Sequence, residues 1–329
     1  MKYFLGIDIG GTKCAVSAVE SGKTDILSKT VFATESSRGW MAVMDDIISS
    51  AESVLQNIGA SAKDVLSAGI SCGGPLDSKN AVILSPPNLP GWNNVPVCDI
   101  IKNCFGFPVF LQNDANACAL AEWKFGAGRG CKNMIFLTFG TGMGAGLILN
   151  GRLYSGTNDL AGEVGHIRLS RNGPVGYGKE GSFESFCSGG GIERYAKRKA
   201  KELLDCGKTS LLFKNESDIQ NLTAKSIAEA AAKGDEFSME IYKECGSRLG
   251  EGLAVLVDIL NPECIVIGSI YARSEMLLRS SMLDSLQKEA LPRALSVCRI
   301  VPAALGENIG DYAALGVASD CYERMIKDA

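Results

Sequence analysis

An apolar run at residues 3–9 stops at Gly10-Gly11-Thr12-Lys13 and resumes at 14–19. The same pattern returns far along the chain. Apolar residues 134–139 lead into Gly140-Thr141-Gly142-Met143-Gly144 and out through 145–149. Each stretch reads as strand, glycine-rich turn, strand, and two such units suggest a duplicated domain. At 329 residues the chain exceeds what one hydrophobic core usually organises, so two lobes with a cleft between them are expected.

The rest of the chain predicts alternating layers. Trp40, Val43, Ile47, Ala51, Val54 and Ile58 fall at helical spacing, behind Ser36 or Ser37 as cap and ahead of Gly59 as terminator. Residues 66–71 and 109–112 are short apolar strands, each ending where a loop begins, and function tends to collect at such strand ends. The second half predicts helices over 192–204, 237–260 and 275–291 and a buried strand at 264–268. Pro and Gly cluster at 85–92 and 171–191, which predicts loops there. Strands alternating with helices make the fold class α/β.

The net charge of −4 and a pI near 5.3, with no long run of Lys or Arg, argue against a nucleic-acid partner. The first apolar run contains Asp8 and is too short for a membrane span or signal segment, so no membrane association and a cytoplasmic location are expected. Twelve cysteines stand singly, with no CxC or CxxC pair, and read as small core hydrophobes.

Glycines at 10 and 11 let backbone N–H groups approach an oxyanion, and Thr12 and Lys13 add side-chain donors. An acidic residue in an apolar strand is costly unless solvated, paired or near a metal, so Asp8 beside this turn suits a water-mediated hold on Mg²⁺. The second turn offers further N–H donors, at Gly140 and Gly142 among others, with hydroxyls from Thr138 and Thr141. Two such turns suit the phosphates of a nucleoside triphosphate. Asn113-Asp114 follows a strand and begins a helical run, where the macrodipole favours an ionised carboxylate and where a helix cap is the plainer role.

The segments DIGGTK (8–13), QNDANACALAEW (112–123), FGTGMGAG (139–146) and AGEVGH (161–166) together resemble the ROK (repressor, ORF, kinase) family of sugar kinases and sugar-responsive repressors. SPPNLPGW (85–92) and NIGDYAALGVA (308–318) also resemble family segments, so the likeness covers nearly the whole chain. It implies two RNase H-like lobes of the actin-like ATPase fold with an interlobe cleft: an N-terminal lobe of residues 1–114 plus about 309–329, and a C-terminal lobe of 115–308. It further implies ATP and Mg²⁺ as cofactors, a hexose or N-acetylhexosamine as substrate, and Asp114 as the base accepting the sugar hydroxyl proton. Asn113, Glu163, His166 and Glu184 match sugar ligands of the family, with Asn88 and Gly74 as further sugar contacts and Gly268 on the adenosine side. A homodimer is the expected assembly.

Two departures stand out. After Gly268 the chain reads Ser269-Ile270-Tyr271 where family members carry further glycines, which bears on nucleotide preference. At 175–184 a zinc-binding CxCGxxGCxE pattern is replaced by VGYGKEGSFE, with Val175, Tyr177 and Ser182 in the cysteine places. That leaves His166 without thiolate partners, so no structural zinc is expected, and apolar packing by Val175, Tyr177 and Phe183 is expected to order the loop instead. Two other readings compete with a kinase. A sugar-responsive repressor would need a helix-turn-helix, for which no room precedes residue 10; a filament or chaperone-like ATPase would not need the sugar-type residues Glu163, His166 and Glu184.

Overall fold

The computed structural model describes residues 1–327. The first sheet contains β1 (Tyr3–Ile9), β2 (Lys13–Glu20), β3 (Ile26–Ala33), β4 (Val65–Cys72) and β5 (Val109–Asn113), in the order β3-β2-β1-β4-β5. β1–β2 and β2–β3 are antiparallel, while β1–β4 and β4–β5 are parallel. The central strands are buried on both faces, which is why they read as continuous apolar runs. β3 was not anticipated from the sequence: it alternates half-buried and exposed residues at the sheet edge, too weak a signal against its Ser, Lys and Thr.

The second sheet repeats this arrangement. It contains β6 (Met134–Leu137), β7 (Ala145–Leu149), β8 (Arg152–Leu153), β9 (Cys264–Ile267) and β10 (Arg299–Pro302), in the order β8-β7-β6-β9-β10, with β6–β9 and β9–β10 parallel and β7–β8 antiparallel. The duplicated pattern of strand and glycine turn therefore corresponds to two sheets of like topology.

The principal helices are α1 (Trp40–Asn57), α2 (Val97–Phe105), α3 (Asp114–Lys124), α4 (Gly189–Asp205), α5 (Glu236–Leu260), α6 (Ile270–Glu289) and α7 (Ile309–Lys327). Leu5, Ile7 and Ile9 of β1 pack with Val43, Ile47 and Val54 of α1, whereas Phe4 packs with Leu315 and Ala318 of α7, so helices cover both faces of the first sheet. At Gly69 an added Cβ would run into Ala314 O and Ala318 N, so only glycine lets β4 and α7 meet this closely.

Several sequence expectations need correction. The cap position of α1 is Gly39, at φ 85°, and Ser36–Arg38 form a separate 3-10 turn. The 171–191 stretch is not a plain loop: it holds a hairpin of Val175–Gly176 with Lys179–Glu180, a helical turn at Phe183–Phe186 and the start of α4. All twelve cysteines are free thiols, but Cys104 and Cys206 are exposed rather than core.

The chain forms two compact units: Met1–Gly130 with Gly146–Ala161 and the residues from Ala304 onward, and Cys131–Ala145 with Gly162–Ala303. Helix α3, placed beyond the 114/115 boundary by the sequence reading, groups with the first unit, and the small residue Gly316 of α7 lies against Leu120 and Ala121 of α3. Among the described residues no helix is long and apolar enough to cross a membrane.

Candidate active site

In the first unit the register aligns the carboxyl ends of three strands: Ile9 of β1 lies opposite Cys72 of β4, and Cys72 opposite Asn113 of β5. The 10–13 turn, Gly73-Gly74 and Asn113-Asp114 therefore emerge along one edge of the sheet, as ligand-binding residues of parallel sheets do. The turn closes through Gly10 N–H donating to Lys13 O at 3.1 Å. Thr34, fully buried, donates its hydroxyl to Gly10 O at 2.6 Å and its N–H to Thr12 O at 3.0 Å. The Thr12 and Lys13 side chains stay exposed. Asn88 sits against the turn, its carbonyl oxygen only 2.5 Å from where a Cβ on Gly11 would stand, and its amide lies beside Gly73. Gly74 and Asn88 are both exposed.

Asp8 carries the strongest electrostatic signature on this edge. Burial, then the like charges of Asp311 and Asp114, raise its carboxyl pKa from 3.8 to about 6, against the lowering effect of Lys13 and Lys29. Asp311, in the first turn of α7, is itself buried and held by Lys29 Nζ at 2.6 Å. A Cβ on Gly310 would stand 3.0 Å from Asp8 Oδ2, so this helix end lies directly against Asp8. Asp311 was not anticipated from the sequence; the signal available was a lone carboxylate after a glycine at the start of an apolar helix. An under-compensated acidic group of this kind fits a divalent cation, which would favour the ionised form of Asp8.

Asp114 is the first residue of α3, and Asn113 is its cap: Asn113 Oδ1 accepts Asn116 N–H at 2.8 Å. The capping role considered for Asp114 thus falls to its neighbour, whose amide nitrogen remains turned toward Asp159 O at 3.5 Å. Asp114 is reached by solvent, yet desolvation by the surrounding protein raises its pKa and outweighs the hydrogen bonds from Ala115 N–H and its own N–H. Desolvation thus makes the group a stronger base than an ordinary aspartate. Asp159, buried and also missed from sequence, accepts Ser78 N–H at 2.8 Å and the Ser78 hydroxyl at 2.7 Å, fixing the segment beside Asn113.

In the second unit the glycine turn after β6 is held by side chains. Gly144 N–H donates to Thr138 Oγ1 at 2.8 Å, Thr138 N–H to Gly144 O at 2.9 Å, and Gly140 N–H to Gly142 O at 3.1 Å. Glu184 Oε2 accepts Met143 N–H at 3.0 Å, so this predicted sugar ligand also braces the turn. The Thr141 side chain is exposed, and a Cβ on Gly140 would meet only Ser269 Oγ, at 3.6 Å.

Glu163 precedes the 3-10 turn Val164–His166 and His166 ends it, and both are exposed. Gly268 follows β9, its N–H donating to Leu137 O at 3.0 Å. Ser269 follows at φ 55°, a left-handed conformation that glycine adopts at lower cost, so the residue replacing a family glycine takes a glycine-like backbone. In the 175–184 segment Phe183 is fully buried and Ser182 caps its helical turn. Val175 and Tyr177 are 51% and 85% exposed, which corrects the expected packing: only Phe183 of the three anchors this loop.

The ROK family profile matches residues 4–320. The glucokinase of Thermotoga maritima is 32% identical over 323 residues, covering 98% of each chain. Among solved structures, the ROK hexokinase of Thermus thermophilus superposes with a TM-score of 0.79 at 28% identity, over 99% of this chain and all of its own. A ROK family glucokinase from Streptomyces griseus, solved in complex with glucose and AMPPNP, gives 0.72 at 31% identity over 96% of this chain and 99% of its own. The two like sheets carry the actin-like ATPase fold of these sugar kinases, and the chain belongs to the ROK family.

Proposed function

We propose that this protein transfers the γ-phosphoryl group of ATP to a hydroxyl of a hexose or N-acetylhexosamine. The observation that carries the reading is Asp114: a solvent-reached carboxyl with a raised pKa, capped into place by Asn113, on the strand edge that also bears the 10–13 turn and Asp8. The glucokinase relatives and the glucose- and AMPPNP-bound neighbour support the substrate class.

Asp114 accepts the hydroxyl proton as that oxygen bonds to phosphorus and the bond to the ADP oxygen breaks. Phosphoryl transfer has a loose transition state, so the base chiefly orients the attacking oxygen. The N–H groups of the two glycine turns that are not already bonded within the protein as Gly10, Gly140, Met143 and Gly144 are, with Thr12, Lys13, Thr138 and Thr141, bind phosphate oxygens. Asp8 would hold Mg²⁺, and the ion would supply charge neutralisation at the phosphates. Asn113, Glu163, His166 and Glu184 bind sugar hydroxyls, with Asn88 and Gly74 at the rim; carboxylates suit vicinal hydroxyls because each accepts two charge-assisted hydrogen bonds. Gly268 borders the adenosine.

The test is coupled ADP release across a panel of hexoses and N-acetylhexosamines with Mg²⁺ and ATP. Turnover that rises sharply with one or a few sugars is expected. Equal ATP hydrolysis with and without every sugar would overturn the reading.

A further inference from the structure

The hairpin of Val175–Gly176 and Lys179–Glu180 carries a conformational anomaly at its tip. Its two central residues, Tyr177 and Gly178, have φ of 45° and 74°. Mirror-image turns of this kind favour Asn, Asp or Gly at both positions, and a bulky aromatic there is strained. Hydrophobic burial does not explain the residue, because Tyr177 is 85% exposed. What its ring touches is His166, at 5.2 Å between centroids and an interplanar angle of 89°, the edge-to-face geometry that aromatic pairs prefer.

The same hairpin grips the His166 segment elsewhere. Lys179 Nζ donates to His166 O at 2.5 Å, Arg168 Nη1 to Glu180 O at 2.7 Å, and Phe183 N–H to Ile167 O at 2.7 Å. Its body is thus tied to residues 166–168, and its strained tip places a ring against one side chain.

We propose that Tyr177 is a positioning residue that fixes the His166 imidazole for sugar binding, with Lys179 fixing the His166 backbone. Building on the kinase reading above, this assigns a substrate-affinity role to a hairpin that has none in the phosphate chemistry. An outlier kept at an exposed turn tip, where Asn would be easier, is strain retained for what the side chain does.

The experiment compares Tyr177→Asn and Tyr177→Phe with wild type, alone and in a His166→Ala background. Tyr177→Asn should raise the KM of the accepted sugar about two- to tenfold, the measured range for an aromatic pair. The KM for ATP and kcat should hold, and the melting temperature should stay level or rise, since Asn suits the turn. Tyr177→Phe keeps the ring and should keep the wild-type sugar KM. In His166→Ala the Tyr177→Asn change should add nothing, because its effect acts through that histidine.

An unchanged sugar KM in Tyr177→Asn, a full further loss in His166→Ala, or stoichiometric zinc bound at His166 in protein purified without added metal would overturn the proposal. These outcomes are distinct from failure of the kinase reading, in which wild type itself shows no sugar-dependent ADP release and this proposal falls with it.

Discussion

The two glycine turns share a sequence pattern but are held by different physics. The 10–13 turn is closed by backbone and by buried Thr34, and it is jammed against Asn88, which leaves 2.5 Å between the carbonyl oxygen and a hypothetical Cβ on Gly11. Beside it stands a carboxylate, Asp8, in the field of two others. The turn after β6 is braced by Thr138 and Glu184 side chains, and a Cβ on its Gly140 would make only an ordinary contact, with Ser269 Oγ at 3.6 Å. Steric necessity explains the first pair of glycines, whereas Gly140 has room for a Cβ. A repeated motif thus marks repeated topology without repeating its energetics.

If charge and proton chemistry reside with the first turn, the largest effect belongs to Asp114. Asp114→Asn should keep the fold and sugar affinity while lowering kcat by about 10²–10⁴, the usual range for a general base. Sugar-dependent ADP release at the wild-type rate in that variant would break the comparison.

Asp8 should trade function for stability. Its folded pKa of about 6 exceeds the ordinary 3.8, so the folded state binds the proton more tightly, and stability from this group is lost as pH rises from 4 through 6. In Mg²⁺-free melts Asp8→Asn should therefore gain up to about 3 kcal/mol over wild type at pH 8, with the gain shrinking towards pH 4, while activity falls. A variant less stable than wild type at both pH values would mean the like charges around Asp8 are better compensated than its surroundings imply.

The glycines sharpen the contrast at the smallest scale. By urea unfolding, Gly11→Ala should cost about 1–3 kcal/mol, as overpacking does, because backbone and not a flexible tip opposes it. Gly140→Ala should stay within about 0.5 kcal/mol. Equal costs would erase the distinction drawn between the turns.

Much of the fold was legible in the residues. The doubly buried strands β1, β2, β6 and β9 announce themselves as apolar runs, and α5 as a long periodic helix, since burial on defined faces dictates residue type. The edge strand β3 and the short strand β10 were not, because a half-exposed strand imposes little on its sequence. The candidate site residues came out of the motif segments; their partners did not. Asp311 reaches Asp8 from about 300 residues away, and Asp159 meets Ser78 across 81. Such pairings are set by tertiary packing, which leaves no local period. Exposure of Val175 and Tyr177 was misjudged for a related reason: apolar character alone does not separate a residue that packs from one that is presented.

Helix α7 lies on β1 and β4 of the first sheet, and its Gly310-Asp311 end abuts Asp8. In the order of translation, the strand that bears Asp8 is made about 300 residues before the helix that covers it. At roughly 5–20 residues per second that is an interval of about 15–60 s, during which one apolar face of the first sheet waits without its cover. The second unit, encoded between them, can fold within this interval. The first is completed only when the ribosome has delivered α7, so a chain cut short before α7 would keep an open sheet face. Chaperone dependence of this protein should accordingly track the speed at which the residues between β1 and α7 are synthesised.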